Sequence, residues 1–142
     1  EVSEGLIFVK GNRLKIEYTS PTHLIFILKE SKGMYFNKEL KEVQYFNTKK
    51  TIGKFLIDIF NNDNFLLDSK ITKKKSYFIL QKEIYLDDTI YNIKIYFEKK
   101  PLQLRKLEII NDTEITTFTI LNPDYNPNLD DQTFSLANPL LS

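Results

Sequence analysis

The sequence predicts a fold that is mainly β and of the α+β class: a curved antiparallel sheet with one or more helices. Three observations predict it. Most of the 142 residues alternate apolar and polar side chains, or run apolar for a few residues between turn signals, as strands do. The links between these segments are of hairpin length, and one stretch shows helical periodicity instead.

The predicted strands are separated by links such as Gly11-Asn12, Ser31-Lys32 and Asn111-Asp112, which are too short for a crossover connection. We therefore expect consecutive strands to be antiparallel neighbours in a meander. The predicted strands are Leu6–Lys10, Arg13–Thr19, Leu24–Lys29, Gly33–Asn37, Glu42–Asn47, Tyr77–Glu83, Thr89–Glu98, Leu102–Asn111, Thr113–Leu121 and Thr133–Leu136.

The segment Thr51–Asn62 breaks the strand pattern, because its apolar residues recur every three or four positions and form one helical stripe. Thr51 can accept an amide hydrogen bond as the N-cap, and Asn61, Asn62 and Asp63 suit the exit of a helix. The stripe consists of Ile52, Phe55, Leu56, Ile59 and Phe60.

Composition predicts one soluble domain over residues 1–142 and excludes several kinds of site. Apolar residues make up 42% of the chain, and no repeat or Pro/Gly-rich linker divides it. With no Cys and with His23 as the single His, thiolate chemistry, disulfides and a histidine metal cluster are excluded, and we expect no metal and no cofactor. A net charge of +1 argues against nucleic acid, and the longest apolar run, Leu24–Leu28, is too short to span a membrane.

The apolar side of the predicted sheet needs more cover than the predicted helix can give. Eight or more strands would make a flat sheet roughly 40 Å across. A helix of about twelve residues is only about 18 Å long. The sheet must therefore curl on itself, and its interior is then either filled by side chains or open to an apolar ligand. Periodicity alone leaves both outcomes open.

Several segments resemble the periplasmic lipoprotein carrier family, LolA. Phe8–Pro21 is similar to a family strand pair that closes on Pro, and Ser31–Asn37 is similar to the turn and aromatic strand that follow. The helix Thr51–Phe60 falls at the family's position, and Leu107–Phe118 resembles its penultimate hairpin. The most specific match is Asn126–Phe134, which is close to the family's closing segment residue for residue.

The resemblance implies an incompletely closed barrel, capped by a helical lid, whose apolar cavity binds the acyl chains of lipoproteins. It implies a monomeric periplasmic carrier that performs no bond chemistry and moves lipoproteins from the inner to the outer membrane. The expected partners are an inner-membrane lipoprotein-releasing transporter and, where one exists, an outer-membrane receptor. The family's amphipathic N-terminal helix would precede Glu1, so we expect part of the lid to be absent. Lys10 stands where the family has a lid-latching Arg, and is the expected latch.

The candidate lipid contacts are apolar residues of the predicted strands and helix. The sequence does not fix the strand register, and therefore does not fix which of them face inward. An ordinary core is the other interpretation of every one of them. The candidates are Leu14, Ile16, Tyr18, Phe26, Leu28, Met34, Phe36, Phe55, Ile59, Phe60, Ile93, Ile95 and Phe97.

Polar residues give weaker signals. His23 is interpreted as structural, and the adjacent acids Asp87-Asp88 and Asp130-Asp131 as turn or cap residues rather than a catalytic pair. The cluster Lys70–Lys75 is predicted to be a solvated loop, with phosphate, anionic lipid or an acidic partner as alternatives. A rival function is therefore a non-enzymatic protein-interaction domain with a filled core, which binds through a strand edge or the Lys70–Lys75 loop.

Overall fold

The computed structural model describes residues 3–61, 63–124 and 127–141. The chain divides into two compact units, and each is described by itself. Unit 1 contains Glu1–Asp63 and Asn128–Ser142, and unit 2 contains the residues between them, 64–127.

Unit 1 is built on a five-stranded antiparallel sheet, sheet A, with its strands in sequence order. The sheet is followed by a 3₁₀ turn, Thr48–Lys50, and by the helix α1, Gly53–Asn61, and two further 3₁₀ helices lie at Asp131–Phe134 and Pro139–Leu141. The strands are β1 (Glu4–Lys10), β2 (Arg13–Ser20), β3 (Leu24–Leu28), β4 (Lys32–Asn37) and β5 (Glu42–Asn47).

Register divides the side chains of sheet A between two faces, because Leu14 pairs with Leu28, Ile16 with Phe26, and Met34 with Ile27. One face, which we call the helix face, carries Leu28, and a side chain at Gly53 of α1 would clash with the Leu28 methyls. The opposite face is called the tail face, because it carries the residues that pack against the closing segment 129–136.

The tail face forms a core with the closing segment. Ile27, Met34 and Phe134 make up its buried centre, and Phe134 is 0% exposed. The Tyr45 hydroxyl donates to the carbonyl oxygen of Leu136 at 2.9 Å. The half-buried residues packed against the centre are Phe8, Ile25, Val43, Leu129 and Leu136. Removal of these apolar side chains from water is the main stabilising interaction between the closing segment and the sheet.

A polar clasp adds to this core at one end of the tail face. Lys10 Nζ donates to the carbonyl oxygen of Leu129 at 2.9 Å and lies 3.3 Å from Asp131 Oδ1. Arg13 contacts the same carboxylate oxygen at 3.0 Å, and its guanidinium carbon lies 5.2 Å from the centre of the Phe134 ring. Hydrogen bonds from Arg13 and Lys10 hold the pKa of the Asp131 carboxyl below its usual value.

Unit 2 is a second five-stranded antiparallel sheet, sheet B, whose strands also follow sequence order. A 3₁₀ helix at Asp63–Leu66 leads into it. Its strands are β6 (Lys70–Lys73), β7 (Tyr77–Leu86), β8 (Thr89–Lys99), β9 (Leu102–Ile110) and β10 (Ile115–Thr119). Phe78, Leu80, Ile93 and Ile95 share one face, the apolar face, while Lys94, Tyr96 and Glu108 lie on the other, the polar face.

Much of the predicted architecture is confirmed. The chain is mainly β, the sheets are antiparallel, and the hairpin links join neighbouring strands. Gly11 has the positive φ of 59° that the β1–β2 turn requires, and Asp87 and Asp88 have φ values of 46° and 64° in the β7–β8 turn. Asp130 caps a 3₁₀ helix by accepting from the Gln132 amide at 2.7 Å, so the expected turn chemistry is confirmed.

Other boundaries were wrong. The predicted strand Thr133–Leu136 is replaced by the 3₁₀ helix Asp131–Phe134, because the alternating side chains there face a core rather than a partner strand. Lys70–Lys73 is a strand and not a loop, since it pairs with β7 along four positions. The helix is shorter than predicted, and Asn62 at its exit and Asn126 of the closing motif lie outside the described residues.

Membrane insertion through a helix has no support in the described ranges. None of the helices in residues 3–61, 63–124 and 127–141 has the length and apolar character needed to cross a bilayer.

Truncation of Phe134 tests the tail-face core. We expect Phe134→Ala to lower the free energy of unfolding by about 3–5 kcal/mol, because it leaves a cavity against Ile27 and Met34. The exposed Leu141 is a control from the same end of the chain, and Leu141→Ala should change stability by less than about 0.5 kcal/mol. Urea denaturation monitored by circular dichroism measures both. Equal midpoints for Phe134→Ala and wild type would show that the closing segment is not part of the core.

Acid should loosen the clasp. The Asp131 carboxyl has a folded pKa below its unfolded value of 3.8, so its stabilising effect is complete above that value and is lost as pH falls through the folded pKa. The stability difference between wild type and Asp131→Asn should therefore shrink between about pH 5 and pH 2. In a Lys10→Gln, Arg13→Gln background, the same substitution should show a smaller pH dependence. A difference that stays constant with pH in the wild-type background would contradict the assigned ion pairs.

Candidate functional site

The helix face of sheet A brings together the first five candidate lipid contacts. Leu14, Ile16 and Leu28 are buried, with exposed fractions of 1%, 6% and 4%, while Tyr18 and Phe26 are half-buried. The pairing of β2 with β3 sets them side by side, since Leu14 faces Leu28 and Ile16 faces Phe26. The alternation that the sequence showed in Arg13–Ser20 therefore produces a continuous apolar surface.

An aromatic row crosses this surface from β2 to β4. The rings of Tyr18 and Phe26 meet edge to face with centres 6.1 Å apart, and those of Phe26 and Tyr35 lie 5.1 Å apart and tilted. Burial raises the pKa of the Tyr18 hydroxyl above its ordinary value, so this group stays neutral at physiological pH. Such rings offer large apolar contact area with few polar atoms.

The helix α1 begins where the sequence signals indicated. The Thr51 hydroxyl accepts from the Gly53 amide at 3.2 Å, and Lys54 pairs with Asp58 one turn on at 2.7 Å. Phe55 is 2% exposed. The other two helical candidates, Ile59 and Phe60, are half-buried.

The buried side of α1 is broader than the predicted stripe. Ile57, which that stripe omitted, is buried together with Leu56 and Gly53. Close approach of Gly53 to Leu28 brings this side of the helix against sheet A, where a larger residue would not fit.

Met34 and Phe36 do not share this surface. Register puts both on the tail face, where Met34 packs against Ile27 and Phe134. The candidates on sheet A therefore lie on both of its faces, five on the helix face and two on the tail face. The sequence left this division open, because Lys32–Asn37 has apolar residues on both sides of the strand.

Lys10 contacts the closing segment. Both of its described hydrogen bonds go to that segment, one to the Leu129 carbonyl and one to Asp131. A latch between Lys10 and a helical lid stays a prediction, whereas the clasp it forms with Asp131 was not foreseen. The signal for the clasp was in the Lys10-Gly-Asn-Arg13 turn, which brings two cations to one edge of the sheet.

The apolar face of sheet B holds the remaining candidates. Ile93 and Ile95 are each 1% exposed, and the Phe97 ring stacks on Phe78 with centres 5.1 Å apart. Leu107 and Ile109 of β9 complete the face and are buried, although sequence reasoning did not single them out. Their alternation with Lys106 and Glu108 was the available signal.

A cation in the middle of this apolar face was also missed. Lys82 is opposite Ile93, with Leu80 and Ile84 as its neighbours on the strand. Its ammonium donates to the carbonyl oxygen of Phe65 at 2.6 Å and pairs with Asp68 at 2.8 Å. The nitrogen also lies 4.8 Å from the centre of the Phe65 ring. These contacts satisfy a charge that would otherwise be costly on an apolar surface.

Two further polar groups, His23 and Tyr96, have carboxylate partners. His23 Nε2 lies 3.0 Å from Glu17 Oε2, a contact between β2 and the residue that precedes β3. On the polar face of sheet B, the hydrogen bond to Glu108 raises the pKa of Tyr96 to about 12. In the described part of the chain, no group of three or more His, Cys, Asp or Glu residues could hold a metal ion.

What these surfaces can do chemically follows from their composition. The helix face of sheet A and the apolar face of sheet B present aliphatic and aromatic side chains with few polar atoms, which is the composition that a surface for apolar groups requires. No curated protein sequence matches this chain, whereas a protein-family model does. The family model described as "Outer membrane lipoprotein carrier protein LolA" matches residues 3–137. That match spans nearly the whole chain, and the protein therefore belongs to the LolA family of lipoprotein carriers.

Proposed function

We propose that this protein binds the acyl chains of lipoproteins on its apolar sheet faces and carries them across the periplasm, from the inner to the outer membrane. The observation that supports this best is the half-buried aromatic row of Tyr18, Phe26 and Tyr35, on the face opposite the filled core of sheet A. Membership of the LolA family gives the cargo its chemical class.

The physical task is to shield hydrocarbon in water. Each methylene that leaves water contributes about 0.8 kcal/mol, so an acyl chain needs a large apolar surface and no catalytic group. The proposed contacts are Leu14, Ile16, Tyr18, Phe26 and Leu28 on sheet A, Phe55, Ile59 and Phe60 on α1, and Ile93, Ile95 and Phe97 on sheet B. Met34 and Phe36 are left out, because they belong to the tail face.

Delivery requires partners at both ends. We propose that a lipoprotein-releasing transporter of the inner membrane loads the carrier, that a receptor of the outer membrane accepts the cargo where one exists, and that the carrier is a monomer. Cargo transfer needs contacts that can be exchanged, and the half-buried rings of Tyr18, Phe26 and Tyr35 are partly accessible for such contacts.

Binding of a tripalmitoylated cysteinyl peptide tests the proposal directly. Native mass spectrometry of protein purified without detergent should show one copy of the peptide bound, and should show residual acyl lipid in samples without added peptide. The rival function, a protein-interaction domain with a filled core, expects neither. Protein that is always free of lipid and never binds the lipopeptide would contradict the carrier proposal.

Adjacent residues of β3 separate the two faces of sheet A. Phe26→Ala should weaken binding of the lipopeptide about tenfold, because it removes a central ring of the helix face. The matched control is Ile25→Ala, which truncates the neighbouring side chain on the tail face. It should lower the free energy of unfolding without changing affinity.

On sheet B the corresponding pair lies on β7. Phe78→Ser, on the apolar face, should weaken binding, and Tyr85→Ser, which is on the polar face and is 70% exposed, should not. Titration calorimetry measures all four affinities. Equal affinities for Phe26→Ala and Ile25→Ala would remove the helix face from the proposed site.

A further inference from the structure

Lys82 is unusual because its strand position and its partners belong to different parts of unit 2. The residue points from the middle of the apolar face of sheet B, opposite the buried Ile93. Its partners come from the segment 64–68, which precedes β6. Lys73 and Lys99 share this face by register, but both lie at its end.

The two ties to the segment differ in kind. The Phe65 carbonyl accepts a short hydrogen bond of 2.6 Å from an ammonium whose side chain is 22% exposed. Asp68 supplies the negative charge, and its side chain is 76% exposed. Water competes with Lys82 for this exposed carboxylate, so the ion pair contributes little to stability. The carboxylate is therefore the replaceable partner of Lys82.

A ligand bound on this face changes which groups can pair with the Lys82 ammonium. An acyl chain that lies along Leu80, Ile93 and Ile95 passes beside the Lys82 ammonium, which the Phe65 ring also contacts, and the ammonium must still have an anionic or polar partner. A carboxylate or phosphate at the end of the chain meets that need, whereas a hydroxyl meets it poorly.

We propose that Lys82 anchors the anionic head group of an acyl ligand, and that the Asp68 carboxylate holds this position when no ligand is bound. The inference rests on the proposed function, since it assumes that the apolar face of sheet B binds acyl chains. It adds a specificity-determining residue for a second class of ligand, free amphiphiles rather than the ester- and amide-linked chains of a lipoprotein: among free chains of equal length, the protein prefers those that carry a carboxylate or phosphate.

The test compares dodecanoate, dodecyl phosphate and dodecanol, which share one chain length and differ in charge. Their affinities are measured by displacement of the neutral fluorescent probe N-phenylnaphthylamine. Wild type should bind both anions more tightly than dodecanol. Lys82→Gln should weaken both anions about fivefold and leave dodecanol unchanged. Lys82→Arg, which keeps the charge, should retain the preference.

The direction in which Asp68→Asn changes anion affinity separates the two interpretations of the ion pair. Because the substitution removes the competing carboxylate, it should strengthen binding of both anions. If Lys82 and Asp68 only tie down the segment 64–68, both substitutions loosen that segment and shift all three ligands in the same direction. That result would overturn the anchor. A response confined to dodecanoate or to dodecyl phosphate would tell a carboxylate site from a phosphate site, and either one would support it.

Two controls complete the experiment. Lys94→Gln removes a lysine from the polar face of the neighbouring strand and should change no affinity. Circular dichroism melting of each variant shows whether it is folded. Unchanged anion affinities in folded Lys82→Gln would overturn the anchor and leave acyl binding intact. Failure of all three ligands to bind wild type would overturn the anchor, whereas the carrier proposal is overturned only if the tripalmitoylated peptide also fails to bind.

Discussion

Sheet A is apolar on both faces, and both therefore need cover. Leu24–Leu28 and Lys32–Asn37 place large apolar residues at consecutive positions, so neither face can be left to water. Chain from far along the sequence covers the tail face, where Phe134 is fully buried against Ile27 and Met34. The sheet thus depends on a segment more than eighty residues beyond β5, as the hydrogen bond between Tyr45 and Leu136, which are 91 residues apart, illustrates.

Because the closing segment covers the tail face, the helix face is the side of sheet A that can bind a ligand. The tail face is a conventional core, in which Phe8, Phe36 and Phe134 pack among aliphatic residues, with a polar clasp at its end. The helix face carries buried Leu14 and Leu28 but also half-buried rings, Tyr18 and Phe26, that make edge and tilted contacts. A carrier needs a surface with half-buried rings, as on the helix face, because a closely packed core is costly to open.

The sequence was informative about local structure and less so about pairing over long distances. Alternation predicted the strands of both sheets except β6, and hairpin links predicted the order of the strands that were foreseen. Register could not be derived where both faces are apolar, which is why Met34 and Phe36 were grouped with Leu14. The closing segment was recognised as a motif but not as a core element, because burial of Phe134 depends on side chains brought together only by folding.

The positions of two lysines could not be predicted from local pattern either. Charge alone suggests a solvated residue, yet Lys82 lies on an apolar face and Lys10 is bonded to the closing segment. The contacts that decide these positions come from residues distant in the sequence, and no local pattern encodes them.

The two irregular segments that cations hold on the sheets are not equivalent. Asp131 and Asp68 are both largely exposed, with 78% and 76% of each side chain accessible, so neither ion pair can hold a segment by itself. The closing segment also buries Phe134 completely and packs Leu129 and Leu136 against the core, which makes it a permanent part of sheet A. In the segment 64–68, Phe65 and Leu66 are only half-buried and Leu67 is 78% exposed. Displacement of that segment therefore sacrifices far less apolar burial, so the Lys82 ammonium is the cation whose partner an incoming ligand can replace at low cost.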